Sequence, residues 1–240
     1  MKNINKFIDK PFAHRGLFDN KNIPENSTEA FKQALKKNYN IELDVHITKD
    51  KKIVVFHDDN LKRMCGINRI IEKCTYEELK MYKLLNTKYT IPLLSDVLKL
   101  VGGRVNLLIE TKVNRYNGEL EKELSKILDN YNGLFAIQSF NYLSINWFRK
   151  HKKDYIIGVL ASNFKNKKIN ILYKLISKTL LFDKILNVDF ISYDIKGLPN
   201  KYINKKQKAK PILGWTFRKK SDYNKLNKFC DCIIAEKDVL

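Results

Sequence analysis

The sequence lacks any long hydrophobic run. A helix that spans a membrane needs roughly 18 to 20 consecutive apolar residues, and the 240 residues contain no such stretch. The segment before Pro11 also lacks the apolar region of a secretory signal. We therefore expect a soluble, unsecreted protein that works in the cytoplasm.

Cysteine and histidine are both scarce, with four of each. The cysteines are Cys65, Cys74, Cys230 and Cys232, and no two of them form a Cys-x-x-Cys pair. No histidine stands near them at the spacing of a zinc finger. We therefore expect neither a structural zinc site nor a disulfide framework.

Negative charge is also under-represented. The chain has 46 Lys and Arg against 26 Asp and Glu, which gives a formal net charge of +20. The electrostatic field of a protein with such a charge attracts polyanions or an anionic membrane surface. The lysines are scattered, however, and no basic run is interleaved with aromatic residues. Peripheral contact with an anionic membrane stays open, whereas a nucleic-acid partner is not expected.

The composition favours a single globular domain over residues 1–240, because 44% of the residues are hydrophobic. Strand-like segments recur with helical segments between them. The strand-like segments are 12–14, 41–45, 107–111, 135–139, 156–160, 190–194, 212–216 and 232–235. This alternation predicts an α/β fold with a parallel sheet closed into a (β/α)8 barrel, and an open doubly wound sheet is the alternative.

Two local patterns refine this prediction. Asn26, with Glu29 three residues later, indicates the start of the first long helix. Residues 53–56 also look like a strand, but they follow the second strand too closely for a parallel crossover, so the chain must turn back over 48–52. Residues 61–90 are then a small insertion subdomain, with helix predicted over 75–85.

The second strand alternates polar and apolar side chains. Glu42, Asp44 and His46 share one face, and in a parallel barrel this face points inward because the outer face packs against helices. Glu110 stands at the carboxyl end of the next barrel strand, where barrel enzymes carry their chemistry. The carboxylates Glu42, Asp44 and Glu110 therefore predict an oxygen-ligated site for Mg²⁺ or Ca²⁺.

Two histidines stand at strand ends beside charged residues. His14 is followed by Arg15, and His57 is followed by Asp58. Each could be a structural hydrogen-bonding residue. Together with an oxygen-ligated cation and Lys112, they supply an acid, a base and positive charge for phosphoryl chemistry.

The order and spacing of these motifs resemble the glycerophosphodiester phosphodiesterase family over nearly the whole chain. The motifs are Ala13-His14-Arg15-Gly16, Pro24-Glu25-Asn26-Ser27, Glu42-Leu43-Asp44-Val45, Val54-Val55-Phe56-His57-Asp58 with Leu61 and Arg63, Ile109-Glu110-Thr111-Lys112 and Gly214-Trp215-Thr216.

The resemblance implies a distorted TIM barrel with a small extra subdomain that hydrolyses glycerophosphodiesters to glycerol 3-phosphate and an alcohol. The implied roles are a divalent cation held by Glu42, Asp44 and Glu110, acid/base catalysis by His14 and His57, phosphate binding by Arg15 and Lys112, and an aromatic wall from Trp215. Two alternatives remain at this point. One is lysophospholipase D activity on membrane lysolipids, and the other is a non-catalytic module that binds phosphate or polyanions.

Overall fold

The computed structural model of the protein describes residues 3–164, 174–175, 177, 179–181, 183 and 185–240. The chain divides into two compact units, one of residues 13–135 and one of residues 1–12 with 136–240. Strand β1 (Phe12–His14) spans the point in the chain where they divide. Among the helices in the described ranges, none is long and apolar enough to cross a bilayer.

The unit of residues 13–135 is built on three further strands, β2 (Asn40–Ile47), β3 (Ile53–Val55) and β4 (Leu107–Thr111). β2 pairs in parallel with β4 and antiparallel with β3. The turn between β2 and β3 is closed by a hydrogen bond of 2.9 Å from the Thr48 N–H to the Lys52 carbonyl. The prediction that the chain turns back after the second strand is confirmed.

The long helices of this unit are Thr28–Lys36, Leu94–Val101 and Glu119–Leu128. The predicted cap of the first is wrong by one residue. The cap is Ser27, whose hydroxyl accepts a hydrogen bond of 3.2 Å from the Ala30 N–H. Ser27 has the extended backbone that a cap requires, whereas Asn26 has a left-handed φ of 54°.

Residues 61–90 form two short helices, Lys62–Cys65 and Tyr76–Lys80, and two 3₁₀ turns, Ile71–Lys73 and Leu84–Asn86. The helix predicted over 75–85 is correct only for its first half. Thr75 begins it through a reciprocal capping box with Glu78, and the chain leaves the helix at Met81. The segment packs around a small apolar cluster of Val54, Phe56, Leu61, Met64, Ile71, Cys74, Leu79, Leu84 and Ile91. That it acts as a separate subdomain stays a prediction.

The other unit contains five strands that pair in parallel with their neighbours in chain order. They are β5 (Phe135–Ser139), β6 (Ile156–Ala161), β7 (Phe190–Asp194), β8 (Ile212–Phe217) and β9 (Cys232–Ala235). Its helices include Ile4–Phe7, Tyr142–His151, Lys201–Gln207 and Lys220–Leu226. All eight barrel strands predicted from the sequence are therefore present, within two residues at either end.

Candidate active site

Three buried carboxylates meet on β2 and β4. The parallel register places Asp44 directly opposite Glu110, and Glu42 lies two residues earlier on the same face of β2. All three side chains are buried. One carboxylate oxygen from each lies within 4.8 Å of the others. The predicted convergence of these three residues is confirmed.

The chemistry of this donor set fits a divalent cation. Burial raises the pKa of Glu42 well above its usual value, and the negative charges of Asp44 and Glu110 raise it further. A cation between the three carboxylates would relieve that repulsion. The ligands are all hard oxygen atoms, which Mg²⁺ and Ca²⁺ prefer.

Two basic residues lie against the carboxylates. The Lys112 ammonium is 3.0 Å from an Asp44 oxygen and also contacts Glu110. The backbone N–H of Arg15 donates a hydrogen bond of 3.0 Å to Glu42, and its guanidinium Nε is 3.4 Å from Asp44. Burial by itself would raise the pKa of Asp44. The positive charges of Lys112 and Arg15, together with the hydrogen bond from Asn26, outweigh burial and hold this pKa low.

Asn26 orients one of the carboxylates. Its side-chain amide donates a hydrogen bond of 2.8 Å to Asp44 Oδ2. Asn26 has a left-handed backbone, a conformation that asparagine tolerates better than most residues. The residue predicted to cap a helix therefore belongs to the carboxylate site.

The two candidate catalytic histidines lie at the ends of short strands. His14 ends β1 and is buried. His57 follows β3, and its side chain is about one-third exposed. The Nδ1 atom of His57 lies 2.6 Å from Asp58 Oδ1. Since a carboxylate can only accept, Nδ1 carries the hydrogen, and Nε2 is left as the atom that can exchange a proton with a ligand.

A charged network links the phosphate-binding candidate Arg15 to the His57 side. Buried Glu25 accepts hydrogen bonds of 2.7 Å from Arg15 Nη1 and from Arg63 Nη2. Arg63 in turn donates through Nε to Asp58 at 2.7 Å. Burial opposes ionisation of Glu25, but the hydrogen bond from Arg63 and the charge of Arg15 outweigh it and lower the pKa of Glu25 to about 2.

Sequence reasoning assigned no role to Glu25, Asp58 or Arg63, although all three lie within the quoted motifs. The signal that could have found them is the presence of opposite charges in those motifs.

His46, which shares the inward face of β2, is fully buried. Its Nε2 lies 3.4 Å from the carbonyl oxygen of His57, so it supports the segment that carries that histidine.

A comparison of the chain with protein-family models identifies its relatives. Residues 14–237 match the model of the glycerophosphoryl diester phosphodiesterase family. The chain belongs to this family. The match includes every residue that the sequence predicted for the site.

Relatives in the family include a glycerophosphodiester phosphodiesterase of Bacillus altitudinis, 35% identical over 64% of this chain and 67% of the relative. Human lysophospholipase D GDPD1 is 36% identical over 53% of this chain and 43% of its own length. The chain thus spans about two thirds of the first relative and less than half of the second. An Oleispira antarctica phosphodiesterase, solved with its product sn-glycerol-3-phosphate, matches 97% of this chain and 94% of its own at 19% identity, with a TM-score of 0.80.

These findings confirm the predicted family, the enzyme class of phosphoric diester hydrolases and the TIM-barrel fold.

Trp215, predicted as an aromatic wall, lies in the unit that contains β8. Its ring packs edge-on against Phe140 with centroids 5.6 Å apart. Its Nε1 is buried and forms no hydrogen bond within the described part of the chain. A role for Trp215 beside the substrate stays a prediction.

Proposed function

We propose that this family member hydrolyses glycerophosphodiesters with water to glycerol 3-phosphate and an alcohol, in a reaction that requires a divalent cation. The observation that carries the proposal is the buried cluster of Glu42, Asp44 and Glu110, which has Arg15 and Lys112 against it. A phosphodiester is an anion, and here two partly buried cationic side chains lie beside a donor set for a cation.

Glu42, Asp44 and Glu110 would hold the cation. When bound, a divalent cation supplies Lewis-acid charge that stabilises negative oxygen atoms on phosphorus. Arg15 and Lys112 would bind the remaining phosphate oxygens, and Glu25 restrains the Arg15 guanidinium by a hydrogen bond of 2.7 Å. A charge that is already oriented needs little reorganisation when the transition state forms.

His14 and His57 would transfer the protons. Hydrolysis of the P–O bond is assisted by a proton donated to the departing alcohol oxygen and by removal of a proton from the attacking water. In His57 the contact with Asp58 fixes Nδ1 as the hydrogen-bearing nitrogen, so Nε2 is the atom that gives or takes the proton. His14 would perform the opposite transfer.

The test is a panel of glycerophosphodiesters assayed with Mg²⁺, with Ca²⁺ and with chelator. We expect chelator to abolish turnover and Glu110→Gln to alter the metal dependence strongly, since this change removes one of three anionic ligands. Glu123→Gln is the matched control, because Glu123 pairs with Lys126 on a helix surface. Turnover that persists after complete metal removal, or an unchanged metal dependence in Glu110→Gln, would contradict the proposal.

A second candidate is lysophospholipase D activity. The similarity to human lysophospholipase D GDPD1 and the net charge of +20 support it, since a basic surface favours contact with anionic lipid. Lysophospholipids presented in anionic and in neutral vesicles provide the test. Hydrolysis that is faster on anionic vesicles and exceeds that of soluble diesters would favour this candidate. Phosphate binding without turnover of any substrate would instead favour a non-catalytic module.

A further inference from the structure

One side chain of the insertion belongs to the charged network beside the site. Arg63 lies on the short helix Lys62–Cys65 and contacts two carboxylates at once. Its Nε and Nη2 donate hydrogen bonds of 2.7 and 2.8 Å to the two oxygens of Asp58. Its Nη2 and Nη1 donate hydrogen bonds of 2.7 and 3.1 Å to the two oxygens of Glu25. Paired hydrogen bonds fix the orientation of a carboxylate as well as its distance, so Arg63 orients both groups.

Asp58 transmits this restraint to His57. The Asp58 oxygen that lies 2.6 Å from His57 Nδ1 is also the one that accepts from Arg63 Nη2. Burial opposes ionisation of Asp58, but the hydrogen bonds from His57 and Arg63 outweigh burial and hold the pKa of Asp58 well below its usual range. Asp58 is therefore an acceptor at neutral pH, and its orientation decides how well it meets the imidazole.

The far side of Arg63 has a rigid support. An arginine whose side chain is 45% exposed would by itself hold a surface carboxylate only weakly. The Glu25 side chain, however, is only 5% exposed and also accepts a hydrogen bond of 2.7 Å from Arg15. A buried carboxylate with two guanidinium partners is itself fixed, so it anchors the fork of Arg63.

One apolar cluster fixes the backbone that carries both side chains. Phe56 directly precedes His57, and Leu61 and Met64 lie on either side of Arg63 in the chain. All three belong to the buried cluster of the insertion and are at most 3% exposed. Packing therefore holds the start of the histidine and of the arginine in place relative to one another.

We propose that Arg63 is a positioning residue for the acid/base chemistry: it orients Asp58, which in turn keeps the hydrogen of His57 on Nδ1. The inference rests on the proposed function, in which Nε2 of His57 transfers a proton. The hydrogen bond that one ring nitrogen makes decides which tautomer a neutral imidazole adopts. Without the fork of Arg63, Asp58 loses its fixed orientation, and the hydrogen divides between the two nitrogens. The insertion therefore has a part in catalysis.

The direct test is the tautomer of His57. Long-range proton–nitrogen NMR correlations of the protein with labelled histidine report it at alkaline pH, where imidazoles are neutral. The signals of His57 are those missing in His57→Gln. We expect hydrogen on Nδ1 in the wild type and a mixture of tautomers in Arg63→Met, which keeps an unbranched side chain without charge. Lys62→Met is the matched control, because Lys62 is an exposed cation on the same helix, and it should keep the wild-type tautomer.

A second variant guards against misfolding. Arg63→Lys keeps the charge without the planar fork, so it should give an intermediate mixture. Urea denaturation shows which variants are folded, and if Arg63→Met does not fold, Arg63→Lys decides by the same criterion. The wild-type tautomer in a folded Arg63 variant, or hydrogen on Nε2 in the wild type, overturns the proposal.

Kinetics give an independent test through a double-mutant cycle with Asp58. Groups that orient a functional side chain typically contribute about 10- to 100-fold in activity, so Arg63→Met should lower kcat on a natural diester by about that factor. KM should change little, because Arg15 keeps its hydrogen bond with Glu25. In an Asp58→Ala background the same change should cost less than about twofold, because the residue through which Arg63 acts is gone. An undiminished loss in that background would refute the proposal. If the wild type turns over no diester, the proposed function fails, and the tautomer still tests the role of Arg63.

Discussion

Glu25 offers the sharpest test of the electrostatic description of the site. Glu25 is 4% exposed, and its carboxylate accepts hydrogen bonds from Arg15, Arg63 and Asn20. Glu25→Gln keeps the shape of the side chain and removes its charge. Two buried or half-buried guanidinium groups then lose their shared anion, which is costly because a charge left without its partner is poorly solvated there.

The magnitude follows from the pKa. Lowering the pKa of Glu25 from its usual 4.5 to about 2 corresponds to about 3 kcal/mol, because one pKa unit is worth about 1.4 kcal/mol. The folded-state pKa lies below the unfolded-state value, so this stabilisation is complete above about pH 4.5 and is lost as the pH falls toward 2. Glutamine mimics the protonated carboxyl. Glu25→Gln should thus lower the free energy of unfolding by about 3 kcal/mol at pH 7 and by progressively less below pH 4.5.

Urea denaturation of both proteins at pH 7, 4.5, 3.5 and 3 measures this difference. Glu77→Gln is the control, since the Glu77 side chain is 78% exposed and pairs with Lys80 on the surface; its effect should stay below about 0.5 kcal/mol at every pH. Turnover of Glu25→Gln should also fall, because Arg15 and Arg63 lose their restraint. A difference between Glu25→Gln and wild type that does not change with pH would refute the reasoning.

Other predictions concern the histidines, the insertion and the helix cap. His14→Ala and His57→Ala should each cost about 10²-fold or more in turnover of a natural diester. A nitrophenolate leaving group needs little protonation, so only the variant that lacks the general acid should recover with a nitrophenyl diester; equal losses for both variants on both substrates would contradict an acid/base pair. Shortening the insertion 61–90 between residues 66 and 88 should change the ranking of substrates more than metal affinity, and an unchanged ranking would argue against a role in selectivity. Ser27→Ala should lower stability by about 1 kcal/mol with little effect on turnover, whereas Asn26→Ala should mainly lower turnover; thermal melts and kinetics on both variants distinguish these outcomes.

Much of the fold could be read from local patterns. The order of strands and helices follows from apolar periodicity, and the reversal after β2 follows from the shortness of the turn at residues 48–52. The shared face of Glu42 and Asp44 follows from the two-residue period of a strand. These properties depend on neighbours within a few residues, and sequence reasoning captured them for that reason.

The helix start at Ser27 shows where local reasoning stops. Asn26 and Ser27 are both good capping residues, so the sequence pattern does not choose between them. The choice depends on Asp44, 18 residues away, which takes the Asn26 amide as a hydrogen-bond donor. Likewise the insertion is too small to continue a helix beyond Lys80, because its side chains must close around one apolar cluster.

By itself the sequence determined the family, the parallel βα order and the three carboxylates, because each is carried by a motif or a period within one segment. Only the tertiary structure showed that Glu25 joins Arg15 to Arg63. Arg63 lies 38 residues after Glu25 in the chain. Burial, charge pairing and the identity of a hydrogen-bond donor are set by segments distant in the chain that folding brings together, and no local pattern encodes them.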